Sequence, residues 1–341
     1  MVVLLRELCE LDGVSGNEKA VRDYIIEKIT PYADDIKIDS IGNLIAKRNG
    51  KYNNKTVMLA SHTDEVGLII SGITEKGFLE FKTVGGIDTR VMISKRVRVG
   101  NNKIPGVIGM KAIHLLEKSE RTDIPKVKSL YIDIGATSKE EAEKYIELGD
   151  YAAFDTDYEE LSENVLKAKA IDDRAGCSIL IELIKDKPVF DTYFCFTAQE
   201  EVGLRGAKIA VNRVKPDISL VIEATTCSDV SPSEEKDYVV RLGGGAAVSF
   251  ADGRTIANED FYKKLLSIAK EENIKTQTKA AIAGGNDAGA IHLAQGGIKC
   301  AAVSVPCRYI HSPAGVASKE DINAVKELAS AFLKRIEEFI D

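Results

Sequence analysis

Tryptophan is absent from the sequence, and aromatic residues make up only 6% of it. A protein that grips polysaccharide on exposed aromatic platforms is poorly served by that composition. Histidine is nearly as scarce: His62, His114, His292 and His311 are the only four, so any imidazole chemistry must draw on them. The six cysteines are scattered through apolar stretches without zinc-finger spacing. They are expected to be buried thiols of a reducing compartment, which makes the cytoplasm the expected location. Long hydrophobic runs are missing as well. Val2-Val3-Leu4-Leu5 is interrupted at once by Arg6 and Glu7, and no stretch reads as a signal peptide or membrane span. Basic charge is in deficit, with a net charge of -7 and a pI near 5.4. Nucleic acid is therefore not an expected partner.

What is present is the composition of a globular protein with a substantial core, 44% hydrophobic and 29% charged over 341 residues. Ser15-Gly16-Asn17-Glu18 reads as a capping box before a helix whose buried face carries Val21, Tyr24, Ile25 and Ile29. Strands follow from Asp35, including the apolar run Val57-Met58-Leu59-Ala60. From about Leu68 to Glu163 the texture changes to short β-like runs between glycine turns, interrupted by one helix over Lys139–Leu148 behind Ser138 and Glu141. From Leu166 helices and strands alternate: helix Arg174–Lys185, strand Thr192–Thr197, a helix near Ala207, strand Ile218–Glu223, helix Glu259–Glu272, and a last helix from Lys319. Such alternation predicts an α/β fold, a mixed and largely parallel sheet sandwiched by helices. The expected division is a discontinuous catalytic domain, 1–66 and 165–341, around an inserted β-rich domain, 67–164.

The chemistry-bearing residues stand where strands run out. "VMLASHTDE" ends in His62 and Asp64, "CFTAQEE" in Glu200 and Glu201, "SLVIEATT" in Glu223, and "VSVPCRYIHSP" in His311. "AIDDRAG" places Asp172 and Asp173 just before a helix. Ligands of open α/β sheets gather beyond the carboxyl ends of strands, so these segments converge if the fold is right. Two divalent ions need a shared carboxylate with one oxygen for each, and Asp172 is suited to that. Imidazole and carboxylate donors suit zinc, with cobalt or manganese as substitutes. Asp64, two residues from His62, is placed to orient its ring. A general base must stand beside the ions without ligating them, which divides the adjacent pair: Glu201 for metal, Glu200 for the proton. His114 and His292 read as structural, and Asp229 as a fallback ligand.

The segments "SHTDEVGLII", "AIDDRAGC", "TAQEEVGLRGA", "GGNDAGAIHLAQGGI" and "PCRYIHSPAGVAS" together resemble those of the dinuclear metallo-aminopeptidases that form tetrahedral particles, of glutamyl or leucyl type and sometimes labelled endoglucanases. The resemblance covers essentially the whole chain. It implies that Asp172 bridges two ions, that Glu201 and His311 hold one and His62 and Glu223 the other, that Glu200 is the base, and that Asp64 is the carboxylate partnering the ligand His62. It further implies a cis Asp172–Asp173 peptide, a PDZ-like dimerising insert, and dimers assembled into a dodecamer acting on peptides. Many similar enzymes carry Asp where Glu223 stands, which is expected to alter how that ion sits. The alternatives are a glycoside hydrolase, which generally works with two opposed carboxylates and no metal cluster, and a metal-dependent deacylase on the same scaffold.

Overall fold

The computed structural model describes residues 1–118, 121–282 and 284–340. The run Val57–Ala60 and three others like it become four adjacent strands: β1 (Tyr52–His62), β2 (Phe190–Thr197), β3 (Ile218–Thr226) and β4 (Lys299–Arg308). Their spatial order is β2-β1-β3-β4, and all three pairings are parallel. Strands covered on both faces have no solvent side to alternate with, and β3 is accordingly buried from Ile218 through Thr225. Antiparallel strands extend the sheet on both sides, Leu44–Arg48 and Asp35–Ile38 next to β2, Gly315–Ser318 and Val165–Ala168 next to β4.

One face of the sheet packs under helices Val2–Glu10, Lys19–Ile29, Ile171–Leu183, Glu259–Glu271 and Lys319–Lys334. Helices Arg205–Val214 and Ala288–Ile291 cover the other through Ala207, Ala210, Val211, Ala288 and Ile291. The β-rich segment closes into a six-stranded antiparallel barrel, from Gly67–Ile73 to Tyr151–Phe154, filled by Leu68, Ile70, Phe81, Val97, Ile108, Ile132 and Phe154. The expected α/β sandwich with a β-rich barrel is what the chain forms.

Two local expectations need correction. Helix Lys19–Ile29 begins at Glu18 with no side-chain cap. Ser15 Oγ donates instead to Asp64 Oδ2 at 2.6 Å, so a carboxylate 49 residues away outcompetes the local amide. The second box forms in half: Ser138 accepts from the Glu141 amide, while the Glu141 carboxylate accepts from the amide of Thr137 rather than of Ser138. Its helix, however, stops at Ala142 rather than Leu148. Over residues 139–148 only Ala142 and Ile146 are buried, too little apolar surface to stabilise further turns of so short a helix.

Candidate metal centre

β1 and β2 stay in register to the pair His62–Thr197, whereas pairing between β1 and β3 stops at Ala60–Val221. The strands part just before His62 and Glu223, and this is the crevice that a parallel sheet opens at its carboxyl edge. The N-terminus of helix Ile171–Leu183 brings Asp172 into it. Asp172 and Asp173 have non-helical backbone angles there, and the peptide between them is cis.

All five residues expected to hold metal meet in this crevice. His62 Nε2 lies 3.1 Å from Asp172 Oδ1 and 3.3 Å from Glu223 Oε1. His311 Nε2 lies 3.3 Å from Asp172 Oδ2 and 3.2 Å from Glu201 Oε2. The two oxygens of Asp172 thus face two different imidazole–carboxylate pairs. Donor atoms of His62, Asp172 and Glu201 fall within 4.8 Å of one another, as do those of His62, Asp173 and Glu223. Asp173 is otherwise engaged, accepting from Ser61 Oγ and from the Gly176 amide at 3.0 Å, so Asp172 is the carboxylate common to both sides.

Asp64 does more than orient an imidazole. His62 Nδ1 is 3.1 Å from the Asp64 carbonyl and 3.4 Å from Asp64 Oδ1. The same carboxylate accepts the Glu200 amide at 2.9 Å and the Glu201 amide at 3.1 Å. It therefore fixes the backbone of the glutamate pair, and with it the different directions in which the two side chains leave. Non-glycine residues around these loops have left-handed backbone, among them Ala170 (φ 53°), Gln199 (φ 57°), Tyr309 (φ 58°) and His311 (φ 55°). Such conformations persist where surrounding contacts over-determine them, commonly at functional sites.

The electrostatics call for cations. Burial pushes Glu201 up to about 8, with Asp172 adding to the shift. Burial likewise raises Glu200 and Glu223 well above the carboxylate range. Burial would lower His311, but Asp172 and Glu201 bring it to about 9. His62 behaves alike, burial being outweighed by Glu223, Asp172 and Asp64. Asp172 is held below its ordinary value because the imidazoles of His311 and His62 outweigh its burial. Carboxylates crowded in a dry site cannot all ionise without compensating positive charge. The donor set of imidazole and carboxylate suits borderline or hard divalent ions.

A cleft of about 320 Å³ opens onto the group, lined by Asp172, Glu200, Glu223 and His311 and by Gly284, Gly285 and Asn286. The glycine-rich segment thus lies beside the site; its Ala283 falls outside the described residues. The sequence reading missed Asp287, which is buried, accepts from Thr197 Oγ1 at 2.6 Å, and is pushed up to about 6 by burial. Its only sequence signal was membership of the "GGNDAGA" segment. Asp229 is not drawn in, being paired with Arg308 at 2.8 Å. His114 is exposed in the turn Ile113–Leu115, and His292 Nδ1 lies 2.7 Å from the Ala288 carbonyl. The six cysteines are buried free thiols.

The chain is similar to known proteins over nearly its whole length. A protein of Acetivibrio thermocellus provisionally named an aminopeptidase is 43% identical over 334 residues, 97% of this chain and 98% of its own. The solved TET1 peptidase of Pyrococcus horikoshii, described as assembling into a tetrahedron or a large octahedral shell, is 35% identical with a TM-score of 0.87, covering 98% of this chain and 99% of its own. A Thermotoga maritima structure named an endoglucanase is 34% identical, covers 98% and 97%, and superposes with a TM-score of 0.82. The family model of the M42 glutamyl aminopeptidases matches residues 42–328. The chain belongs to that family and is a peptide hydrolase of the aminopeptidase kind.

Proposed function

We propose that this chain removes N-terminal residues from peptides at a two-metal site. His62, Asp172, Glu201, Glu223 and His311 hold two divalent ions, zinc or cobalt, and Glu200 is the general base. The observation that carries this reading is the placement of Asp172, one oxygen toward His62 and Glu223, the other toward His311 and Glu201. Divalent ions held by these residues would supply the Lewis acidity that polarises a carbonyl and acidifies water. Glu200 takes the proton of the attacking water at its carboxylate and returns it to the departing amine. A raised affinity for that proton, caused by burial and by Asp287 and Glu201 beside it, suits it to both transfers. Asp64 keeps the base and the adjacent ligand in place through their amides. Gly284–Asn286 form the wall against which the peptide lies.

Similarity to a protein named an endoglucanase makes polysaccharide the rival substrate. Two carboxylates standing apart across a sugar are the glycosidase arrangement, whereas here the carboxylates are gathered around two imidazoles. The purified protein, reconstituted with zinc or cobalt, is expected to hydrolyse aminoacyl-p-nitroanilides, to fail on their N-acetylated forms, and to leave soluble cellulose intact. Release of reducing sugar without p-nitroaniline would overturn the reading.

The same reading assigns residues 1–66 and 165–341 to catalysis and 67–164 to dimerisation within a cytoplasmic dodecamer. In support, the barrel segment exposes Val107, Ile113, Leu115 and Ile124, and the Pyrococcus relative is described as able to assemble into a tetrahedron or a large octahedral shell. Light scattering at saturating metal should report a particle far above 37.1 kDa.

A further inference from the structure

Three fully buried charged residues have no place in the chemistry above. Glu65, Lys169 and Arg174 are 2%, 1% and 0% exposed. Lys169 Nζ donates to both oxygens of Glu65, at 2.6 and 2.9 Å. Arg174 Nε donates to the Thr63 carbonyl at 3.0 Å, and its second terminal nitrogen lies 3.4 Å from Glu65 Oε1. Thr63 and Glu65 follow His62 in one segment, while Lys169 and Arg174 flank Asp172 in the other. Two cross-ties therefore join the segments that carry His62 and the shared carboxylate, one on each side of Asp172.

Both ties are anchored further. The Glu65 amide donates to the Gly13 carbonyl at 3.0 Å, and the Gly13 amide donates to Glu65 Oε1 at 2.9 Å. A Cβ at Gly13 would fall 2.6 Å from the Arg174 guanidinium, so a side chain there would have to displace it. Lys169 also donates to the Leu11 carbonyl at 2.7 Å, and Arg174 to that of Leu8 at 2.6 Å. Glu65 and Lys169 line the same small pocket as Asp172, Glu201 and His311. Between Lys169 and Asp172 lies Ala170, held at φ 53°.

Buried ion pairs are rarely the most stable way to fill a core, since apolar residues of equal volume do as well or better. What a directional charged pair adds is a fixed register. We propose that Glu65, Lys169 and Arg174 are positioning residues that set the separation of His62 from Asp172, and so the metal affinity of a site they do not touch. This rests on the two-metal reading of that site. Partners outside the ligand shell commonly matter to metal binding by 10–100-fold.

The decisive variant is the charge-neutral pair Glu65→Leu with Lys169→Met, compared with the wild type by zinc titration against a chromophoric chelator and by melting of the metal-free protein. Because Arg174 and the Gly13 amide lose the Glu65 carboxylate, the metal-free melting temperature should fall, and below it the zinc dissociation constant should be raised by roughly 10–100-fold. A second variant, Lys169→Arg, keeps the charge but presents a longer, planar fork that cannot reproduce the same geometry; it too should weaken zinc, and it decides the matter if the pair does not fold. Lys47→Met, which breaks an ion pair with Asp191 in another strand pair of the sheet, should leave zinc affinity unchanged. Wild-type zinc affinity in the folded variants overturns the positioning role alone. A wild type that takes up no zinc overturns the two-metal reading itself.

Discussion

The barrel and the carboxyl edge of the large sheet bury their residues on opposite principles. Between Gly67 and Ala168, every buried residue described is apolar or glycine. The sheet edge, by contrast, buries His62, Asp64, Glu65, Lys169, Asp173, Arg174, Glu200, Glu223 and Asp287. Burying polar and charged groups is costly unless each is paired, so a region that does so repeatedly is maintained for its chemistry rather than for stability. The barrel core is apolar, and none of the proposed metal ligands, nor the proposed base, lies in it.

The strongest way to test that contrast is at the glutamate pair. Glu200→Gln should retain metal and fold while lowering turnover by roughly 10²–10⁴-fold, the usual contribution of general acid–base catalysis. Glu201→Gln should lose metal affinity along with activity, because a charged ligand becomes neutral. Excess zinc should restore part of the activity of the second variant and none of the first. Equal metal loss and equal rescue would erase the distinction between base and ligand.

In the barrel, the expected effect moves from activity to stability. Ile108 is fully buried in the barrel core, and Ile108→Ala should cost about 2–5 kcal/mol of unfolding free energy through lost transfer and a residual cavity. Zinc bound per folded chain should not change. Altered metal affinity in that variant would mean that the two regions are not independent.

A smaller effect concerns a carboxyl outside the site. Asp321 is buried and accepts the Gly243 and Gly245 amides, each at 2.7 Å. Burial raises it from 3.8 to about 6. Below the lower value it is protonated in both folded and unfolded chains. Between the two the unfolded chain gives up a proton that the folded chain keeps, so stability falls as pH rises, by up to ~3 kcal/mol. Denaturation midpoints measured from pH 4 to 6.5 should show less of this decline in Asp321→Asn; an unchanged slope would remove Asp321 as its source.

Much of the site was legible because a parallel sheet collects its strand ends. His62, Glu200, Glu201, Glu223 and His311 each follow an apolar run, and once those runs are strands their convergence is geometric. The division of labour at Asp64 was only half legible. Its nearness to His62 is local in sequence, but its bonds to the Glu200 and Glu201 amides span 136 and 137 residues. Ser15 was misread for the same reason: a local capping pattern was present, and a distant carboxylate took the hydroxyl. Asp287 showed only its place in the "GGNDAGA" segment, and nothing marked Glu65, Lys169 and Arg174 as buried, since buried charge looks like surface charge until its partner is placed. Asp229 resembled a spare ligand only while its partner Arg308 was unknown.

The central claim is that one carboxylate, Asp172, serves both ions. Equilibrium dialysis against zinc, with metal content measured per 37.1 kDa chain, tests it directly in the wild type and in Asp172→Ala. The wild type should saturate at two ions and the variant should lose tight binding of both together. A wild type that saturates at one, or an Asp172→Ala protein that keeps one ion at wild-type affinity, would contradict the shared-carboxylate site.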